Sequence, residues 1–258
     1  MPNQSIQRAA QILSLFSMGR PQLKLSQIAK ELSLPIGTVH GLVRTLEEEG
    51  FLTQDPPTRE YRLGLRLHLL GSIQMATMEF NQKAAGPMNY LARQTDLVAR
   101  TGILTSGTVV ITMSTFPLTN GVAGPYLGVQ TPAYCTSLGR AILAFLPPEE
   151  ASRELECIEI VRYTPKTVVD REELLAEIAA ARDKGYAVVH QEFEMHMSTI
   201  GAPIFAAGSR PVAAISVSGE PARVAGSEGE GLAHRVMETA AEISGYLGHT
   251  LAPLFRHA

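Results

Sequence analysis

Apolar residues in the first fifty positions recur with a helical period. Ile6, Ala9, Ala10, Leu13 and Phe16 fall on one stripe and predict a helix over 5–18, ended by Gly19, Arg20 and Pro21. A second helix is expected from Ser26, whose hydroxyl is a candidate cap, with Leu25, Ile28, Ala29 and Leu32 as its apolar face. Leu34 and Pro35 break that pattern, and proline suits the opening of another helix. The third helix is expected to reach Glu49, with Val39, Leu42, Val43 and Leu46 inward and Gly50 as its stop. The period then switches to two. A strand over 51–54, a turn at Asp55-Pro56-Pro57-Thr58 and a returning strand over 60–63 predict a hairpin. Three helices followed by a hairpin outline a winged helix-turn-helix.

Beyond the hairpin, 64–78 reads as a helical linker and 79–258 as a mixed α and β domain. A helix over about 80–95 precedes strands over 97–104 and 108–114. Residues 115–133 are rich in Gly, Pro and Thr and read as a loop with one weak strand. A helix is expected from near Thr136 to Pro147-Pro148, and another over 170–184, capped by Asp170 and closed by Gly185. Strands near 186–190, 200–206 and 212–218 and a closing helix over 227–250 complete the pattern. The expected fold class is therefore α+β, with a winged helix-turn-helix at 1–63, a linker helix at 64–78 and a larger domain at 79–258.

Composition narrows the class. The chain has 258 residues, 45% hydrophobic and 18% charged, which suits two folded domains and argues against disorder. The net charge of −3 excludes a chain that is basic throughout. The halves differ, however: the first seventy residues hold eight basic and six acidic side chains, so the remainder carries the acidic excess. Two cysteines, Cys135 and Cys157, give no disulfide framework. No signal-peptide pattern opens the chain and no apolar run has the length of a membrane span, so a cytoplasmic location is expected.

The third helix is the first candidate for chemistry. Its inward stripe leaves Gly37, Thr38, His40, Gly41, Arg44 and Thr45 outward, where a recognition helix would meet base edges and phosphates. Arg59 stands at the tip of the hairpin, with Tyr61 and Arg62 beside it. The same trio would also serve as a plain packing unit with solvated polar side chains.

The segments 25–40, 45–52 and 61–64 resemble the IclR family of bacterial regulators. So do Pro132 to Ala144, Lys184 to Ala187, Ala202 to Ile204 and Ala214 to Gly219, in the same order along nearly the whole chain. The resemblance implies a DNA-binding regulator and not an enzyme, with a GAF-like α/β domain that binds a small-molecule effector. It implies DNA contacts from Ser26, Gly37, Thr38, His40, Gly41, Arg44, Arg59 and Tyr61. It also implies a homodimer on double-stranded operator DNA, with a tetramer as the further option. The family's recognition helix usually opens with a polar or basic pair and carries Arg after the His. This chain has Ile36-Gly37 and Gly41 instead, so two phosphate or base contacts are missing and altered binding is expected.

Within the larger domain, a helix start at Thr136-Ser137-Leu138 presents unpaired backbone N–H groups, a ready site for an anion. Capping by Thr136 or Ser137 accounts for the same residue types without a ligand. By resemblance, the start of this helix, with Tyr134 and Cys135, forms one wall of the effector pocket. The other wall comes from the segment 188–199, with Val189, His190, His196, Met197 and Thr199 as its candidate residues, and from Ser216 and Ser218 on a later strand. The version Ala133-Tyr134-Cys135-Thr136-Ser137 is most similar to the branch that senses aromatic acids, so the expected effector is a small aromatic acid or a derivative such as an amide. The family commonly reads Asp-Asp-Glu-Glu and Gly-Val-Arg-Cys where this chain has Val189-His190-Gln191-Glu192 and His196-Met197-Ser198-Thr199. An acidic residue is lost and two histidines appear, which changes the pocket chemistry.

Two rival functions follow from the same residues. Cys135 with His190 or His196 would be a nucleophile and base in a hydrolase, although free Cys is more often a small buried hydrophobe. Alternatively, the sparse recognition helix would fit a small-molecule-binding module with a decayed DNA-binding unit, acting through protein contacts. The spacing His190-x5-His196 lacks the pattern of a structural zinc site, and neither a metal nor a cofactor is expected.

Overall fold

The computed structural model describes residues 3–117 and 128–249. Residues 118–127 of the loop expected over 115–133, and the last residue of the expected closing helix, 250, lie outside the described residues. The chain divides into two compact units, Met1–Thr77 and Met78–Ala258.

The first unit is a winged helix-turn-helix. Helices α1 (Gln4–Ser14), α2 (Leu25–Glu31) and α3 (Ile36–Glu48) precede an antiparallel hairpin of β1 (Leu52–Gln54) and β2 (Tyr61–Leu63), and α4 (Leu65–Thr77) follows. Ile12, Leu23, Ile28, Val39, Val43, Leu46, Leu52 and Tyr61 form its core. α1 ends at Ser14, short of the expected end at Met18, because Ser17 and Arg20 exchange backbone hydrogen bonds of 3.2 and 3.0 Å in a tight turn. α2 starts one residue earlier than expected. Its N-cap is Lys24, whose N–H donates to the Gln27 side chain at 2.7 Å, so Ser26 is not the cap. Gly50, with φ of +74°, carries the chain out of α3 in the left-handed region that favours glycine.

The second unit is an antiparallel sheet with helices on both faces. Its elements are α5 (Glu79–Thr95), β3 (Val98–Thr105), β4 (Thr108–Thr115), β5 (Gln130–Pro132), α6 (Ser137–Leu143), α7 (Pro148–Glu156), α8 (Arg171–Lys184), β6 (Ala187–His190), β7 (Ser198–Phe205), β8 (Pro211–Gly219), α9 (Pro221–Val224) and α10 (Gly229–Tyr246). The strand order is β5-β4-β3-β8-β7-β6. Asp170 Oδ1 accepts from the Glu173 N–H at 2.9 Å to open α8, and Gly185 at φ +82° closes it. The closing helix begins at Gly229, preceded by the short turn α9 that periodicity did not indicate.

The pleat sorts side chains between two cores. Ala213, Ile215 and Val217 of β8, with Ile200, Ala202 and Ile204 of β7, face α5 and α10. Ala214 faces the other core, with Val109 and Ile111 of β4 and residues of α6, α7 and α8. Gly201 lets α6 press onto β7: a Cβ there would sit 2.8 Å from the carbonyl carbon and oxygen of Ser137. Among the described residues, no helix is long and apolar enough to cross a membrane.

Candidate functional site

Two surfaces gather the candidate side chains, one in each unit. In the first unit, the burial of Val39, Val43 and Leu46 turns Gly37, Thr38, His40, Gly41 and Arg44 to the exposed face of α3. Arg44 Nε pairs with Glu48 Oε1 at 2.8 Å across one turn. Such an exposed i,i+4 pair is weak and breaks readily in favour of a phosphate. Ser26 is exposed on α2. The wing tip is shaped by Asp55, whose Oδ2 accepts from the Thr58 hydroxyl at 2.6 Å and the Thr58 N–H at 3.1 Å; these bonds hold its carboxyl below the ordinary value. Arg59 follows at φ +59°, exposed at the tip. Tyr61 is placed differently from the sequence reading: it is 6% exposed and belongs to the core, because β2 turns it inward and Arg62 outward.

In the second unit, strand register gathers one row of side chains on the α6 face. Val189 pairs with Thr199, Thr199 with Ser218, Gly201 with Ser216, and Ser216 with Arg100. Residues paired in register project to the same face, so this row lies beneath the start of α6. The result is a cavity of about 120 Å³. Cys135, Thr136, Ser137, Leu138, Val189, Met197, Thr199, Ser216 and Ser218 line it, together with Arg100, Ile111, Val129, Thr131, Glu192, Phe193 and Glu194.

The polar groups of the cavity have defined partners. Arg100 Nη1 donates to Ser218 Oγ at 3.1 Å. Among the described lining residues Arg100 is the only Lys or Arg. The Thr131 and Thr199 hydroxyls are buried and have no hydrogen-bond partner among the described residues, a state that costs free energy unless a bound group completes it. Thr136 caps α6, accepting from the Gly139 N–H at 3.3 Å, and its own hydroxyl donates to the Pro132 carbonyl at 2.9 Å. The capping reading of Thr136 therefore holds, whatever else its neighbourhood binds.

Behind the wall lies a buried ion pair. Arg140 is 1% exposed; its Nη2 meets Glu192 Oε2 at 2.6 Å and its Nε donates to the Tyr134 carbonyl at 2.7 Å. Burial raises the Glu192 pKa, while Arg140 and the Val168 N–H oppose that rise. Removing either partner would strand a buried charge.

Three residues of the sequence reading do not line this cavity. Tyr134 is buried beside it, its hydroxyl donating to the Val161 carbonyl at 2.6 Å and accepting from the Val161 N–H at 3.0 Å. His190 follows Val189 on β6, so the pleat sends it to the opposite face. It lines a separate cavity of about 230 Å³ with Arg140, Glu177 and Lys184, where burial and Lys166 lower its pKa. His196 is exposed in the segment between β6 and β7. The hydrolase reading fares poorly in this setting. Burial pushes the Cys135 thiol up to about 12, so the nucleophilic thiolate is scarce at neutral pH. Among the described residues, no three His, Cys, Asp or Glu side chains are grouped to hold a metal ion.

Arg100 is the lining residue that matters most among those not expected there. Arg100 carries a sequence signal, as the only charged residue in the strand Val98–Thr105. Glu192 lies in the segment 188–199 that the resemblance made the opposite wall, at the last position of the family's Asp-Asp-Glu-Glu.

Comparison with known proteins agrees with both halves. The model of the IclR helix-turn-helix domain matches residues 5–56, and that of the bacterial transcriptional regulator IclR C-terminal domain matches residues 74–245. The HTH-type transcriptional regulator XynR of Escherichia coli is 30% identical over 246 residues, 95% of this chain and 98% of that protein. The crystal structure of an IclR transcriptional regulator from Alicyclobacillus acidocaldarius superposes with a TM-score of 0.83 at 28% identity, covering 96% of this chain and all of that one. An IclR homologue from Microbacterium hydrocarbonoxydans, solved with 4-hydroxybenzoate, has the same fold at a TM-score of 0.79 and 22% identity, covering 96% and 100%.

Proposed function

The chain belongs to the IclR family of bacterial DNA-binding transcriptional regulators, and from that premise we propose that a small aromatic acid, or a close derivative such as its amide, binds in the α6 cavity and sets operator affinity. The observation that carries this reading is the make-up of the cavity. It offers a guanidinium at Arg100, two unsatisfied hydroxyls at Thr131 and Thr199, and apolar walls from Ile111, Leu138, Val189 and Phe193. Its 120 Å³ is on the scale of the cavity of ~150 Å³ that admits a single benzene ring. A convergent set of few polar groups in an apolar hollow is the common form of a small-ligand site. The complex of the Microbacterium homologue with 4-hydroxybenzoate favours the same ligand class for this chain.

The DNA side of the proposal assigns base and phosphate contacts to Thr38, His40 and Arg44 of α3, with Ser26 and Arg59 on neighbouring phosphates. A homodimer would set two such helices against two half-sites. The exposed Leu65, Leu69, Leu70 and Ile73 of α4, a helix with no buried residue, support self-association through that helix. A ligand that prefers one arrangement of the assembly then changes operator affinity by the difference between its two binding free energies. Such a protein works in the cytoplasm, where its DNA is.

The test is a fluorescence titration of the purified protein against the intergenic DNA beside its own gene, at two salt concentrations, with and without a panel of aromatic acids and amides. Salt-sensitive specific binding that shifts with one compound is expected. Specific binding that no compound alters would overturn the effector reading. A folded protein with no specific binding at either salt would favour instead a ligand-binding module that acts through protein contacts.

A further inference from the structure

Helix α3 buries Val39, Val43 and Leu46 and, among the described residues, leaves one large apolar side chain exposed, that of Ile36. Ile36 is the first residue of the helix and is 57% exposed. It takes no part in the core of the first unit, to which α3 contributes its three buried residues and the half-buried Leu42. Nor does it cap the helix, since Pro35 holds the N-cap position. A lone exposed apolar residue on an ordinary surface needs no explanation. This one stands where a recognition helix presents its N-terminal residues to base edges. Residues four apart share a helix face, so Ile36 opens a ridge that continues through His40 and Arg44, both exposed. Beside the ridge run Gly37 and Gly41. A Cβ at either would meet nothing within 4 Å, so packing makes no demand for glycine there, and glycine weakens a helix interior. The bare strip has no side chain to hold α3 away from a surface that it meets.

An isoleucine side chain has neither donor nor acceptor, so the only base feature it can read is an apolar one. Thymine alone among the four bases carries a methyl group in the major groove. We propose that Ile36 is a specificity residue of the DNA interface, its side chain packing against the 5-methyl group of a thymine in each half-site. A cytosine at that place would turn its N4 donor toward a side chain that cannot accept, and so would bind less well. Ile36 and Gly37 occupy the place of the polar or basic pair usual in the family, and a methyl contact there takes over part of the base discrimination that such a pair would supply. An apolar contact releases no counterion, so its share of the affinity does not change with salt, unlike the share from Arg44 on a phosphate. The inference rests on the reading of α3 as the recognition helix.

The test compares two probes of one sequence, the intergenic DNA beside the protein's own gene. One is amplified with thymidine triphosphate and the other with deoxyuridine triphosphate, whose base pairs identically but lacks the methyl group. The full-length protein is titrated against each by fluorescence at two salt concentrations. Loss of one methyl contact is expected to weaken binding about 4-fold, and loss of two in a dimer about 15-fold, with the same ratio at both salts. Ile36→Ser and Ile36→Ala, at an exposed position on which no packing depends, should lose that ratio. Ile36→Val, which keeps a branched apolar side chain, should retain it. A merely structural role for Ile36 at the start of α3 would weaken both probes by the same factor and leave the ratio intact. Equal binding of the two probes by the unaltered protein overturns the inference alone and leaves α3 as the recognition helix. A preference that both Ile36→Ser and Ile36→Ala keep in full does the same. Specific binding to neither probe by the folded protein overturns the recognition-helix reading, and the inference with it.

Discussion

Replacing Thr199 with Val should separate stability from ligand binding by giving them opposite signs. Thr199 sits on β7 between Val189 and Ser218, its hydroxyl buried without a partner in the cavity lining. Valine has the same shape and the same β-branched preference for a strand, so the backbone and packing have no reason to shift. An unsatisfied buried hydroxyl costs roughly 1–3 kcal/mol, and its exchange for a methyl recovers part of that. Taking about 1 kcal/mol as the recovered share, the second unit should melt about 2–4 °C higher without ligand. If the effector donates to or accepts from that hydroxyl, the same change should weaken its binding by about 5-fold or more. Differential scanning calorimetry of the ligand-free protein and titration with the effector measure the two effects on one preparation. A lower melting temperature in the ligand-free variant would refute the reasoning, because it would mean that the hydroxyl is already well satisfied in the free protein. A higher melting temperature with unchanged affinity would remove Thr199 from the binding residues while leaving the stability argument standing.

Gly201→Ala should destabilise the second unit by about 1–3 kcal/mol, since the new methyl meets the Ser137 backbone at 2.8 Å and must push the α6 start away from β7; thermal melting with effector titration checks this, and an unchanged melt would show that α6 is not pressed onto the strand. Arg44→Ala should weaken operator binding at all sequences or at one base position, and reduce the slope of log affinity against log salt by about 1 if the contact is to phosphate; a salt series of binding titrations decides between these. A thiol reagent at pH 8 should modify the exposed Cys157 and spare Cys135, whose burial holds it protonated up to about 12; mass spectrometry of the labelled peptides reads the outcome. The same raised value has a stability consequence: the unfolded thiol ionises near its ordinary value of 9.0 and the folded one near 12, so the contribution of Cys135 is complete below pH 9 and lost as pH rises toward 12. Cys135→Ser should therefore flatten the alkaline limb of a stability–pH profile, and an unchanged limb would contradict the buried placement of the thiol.

Local pattern determined much of this protein. The 3.6-residue stripes of the first three helices, the switch to period two at the wing, the Asp170 cap and the Gly185 stop are short-range events, each written within a few residues of where it acts. The exposed set on α3 followed from the same logic, because a stripe that buries Val39, Val43 and Leu46 leaves the rest outward. Pattern alone could not say on which face of a three-residue strand Tyr61 would lie, and packing against Leu23 drew it into the core. The cavity is a different kind of object. Arg100, Val189, Thr199 and Ser216 are neighbours only because β3, β8, β7 and β6 pair in one register, and a shift of one residue would exchange Val189 for His190 in the wall. The close seat of α6 depends on the missing side chain of Gly201, 64 residues away from Ser137 in sequence but touching it in space. The Arg140–Glu192 pair likewise joins positions 52 apart. Elements and their outward faces are set by neighbours along the chain and were legible there. Which polar groups share a dry hollow is set by strand register and close packing between distant segments, and only the tertiary structure decided it.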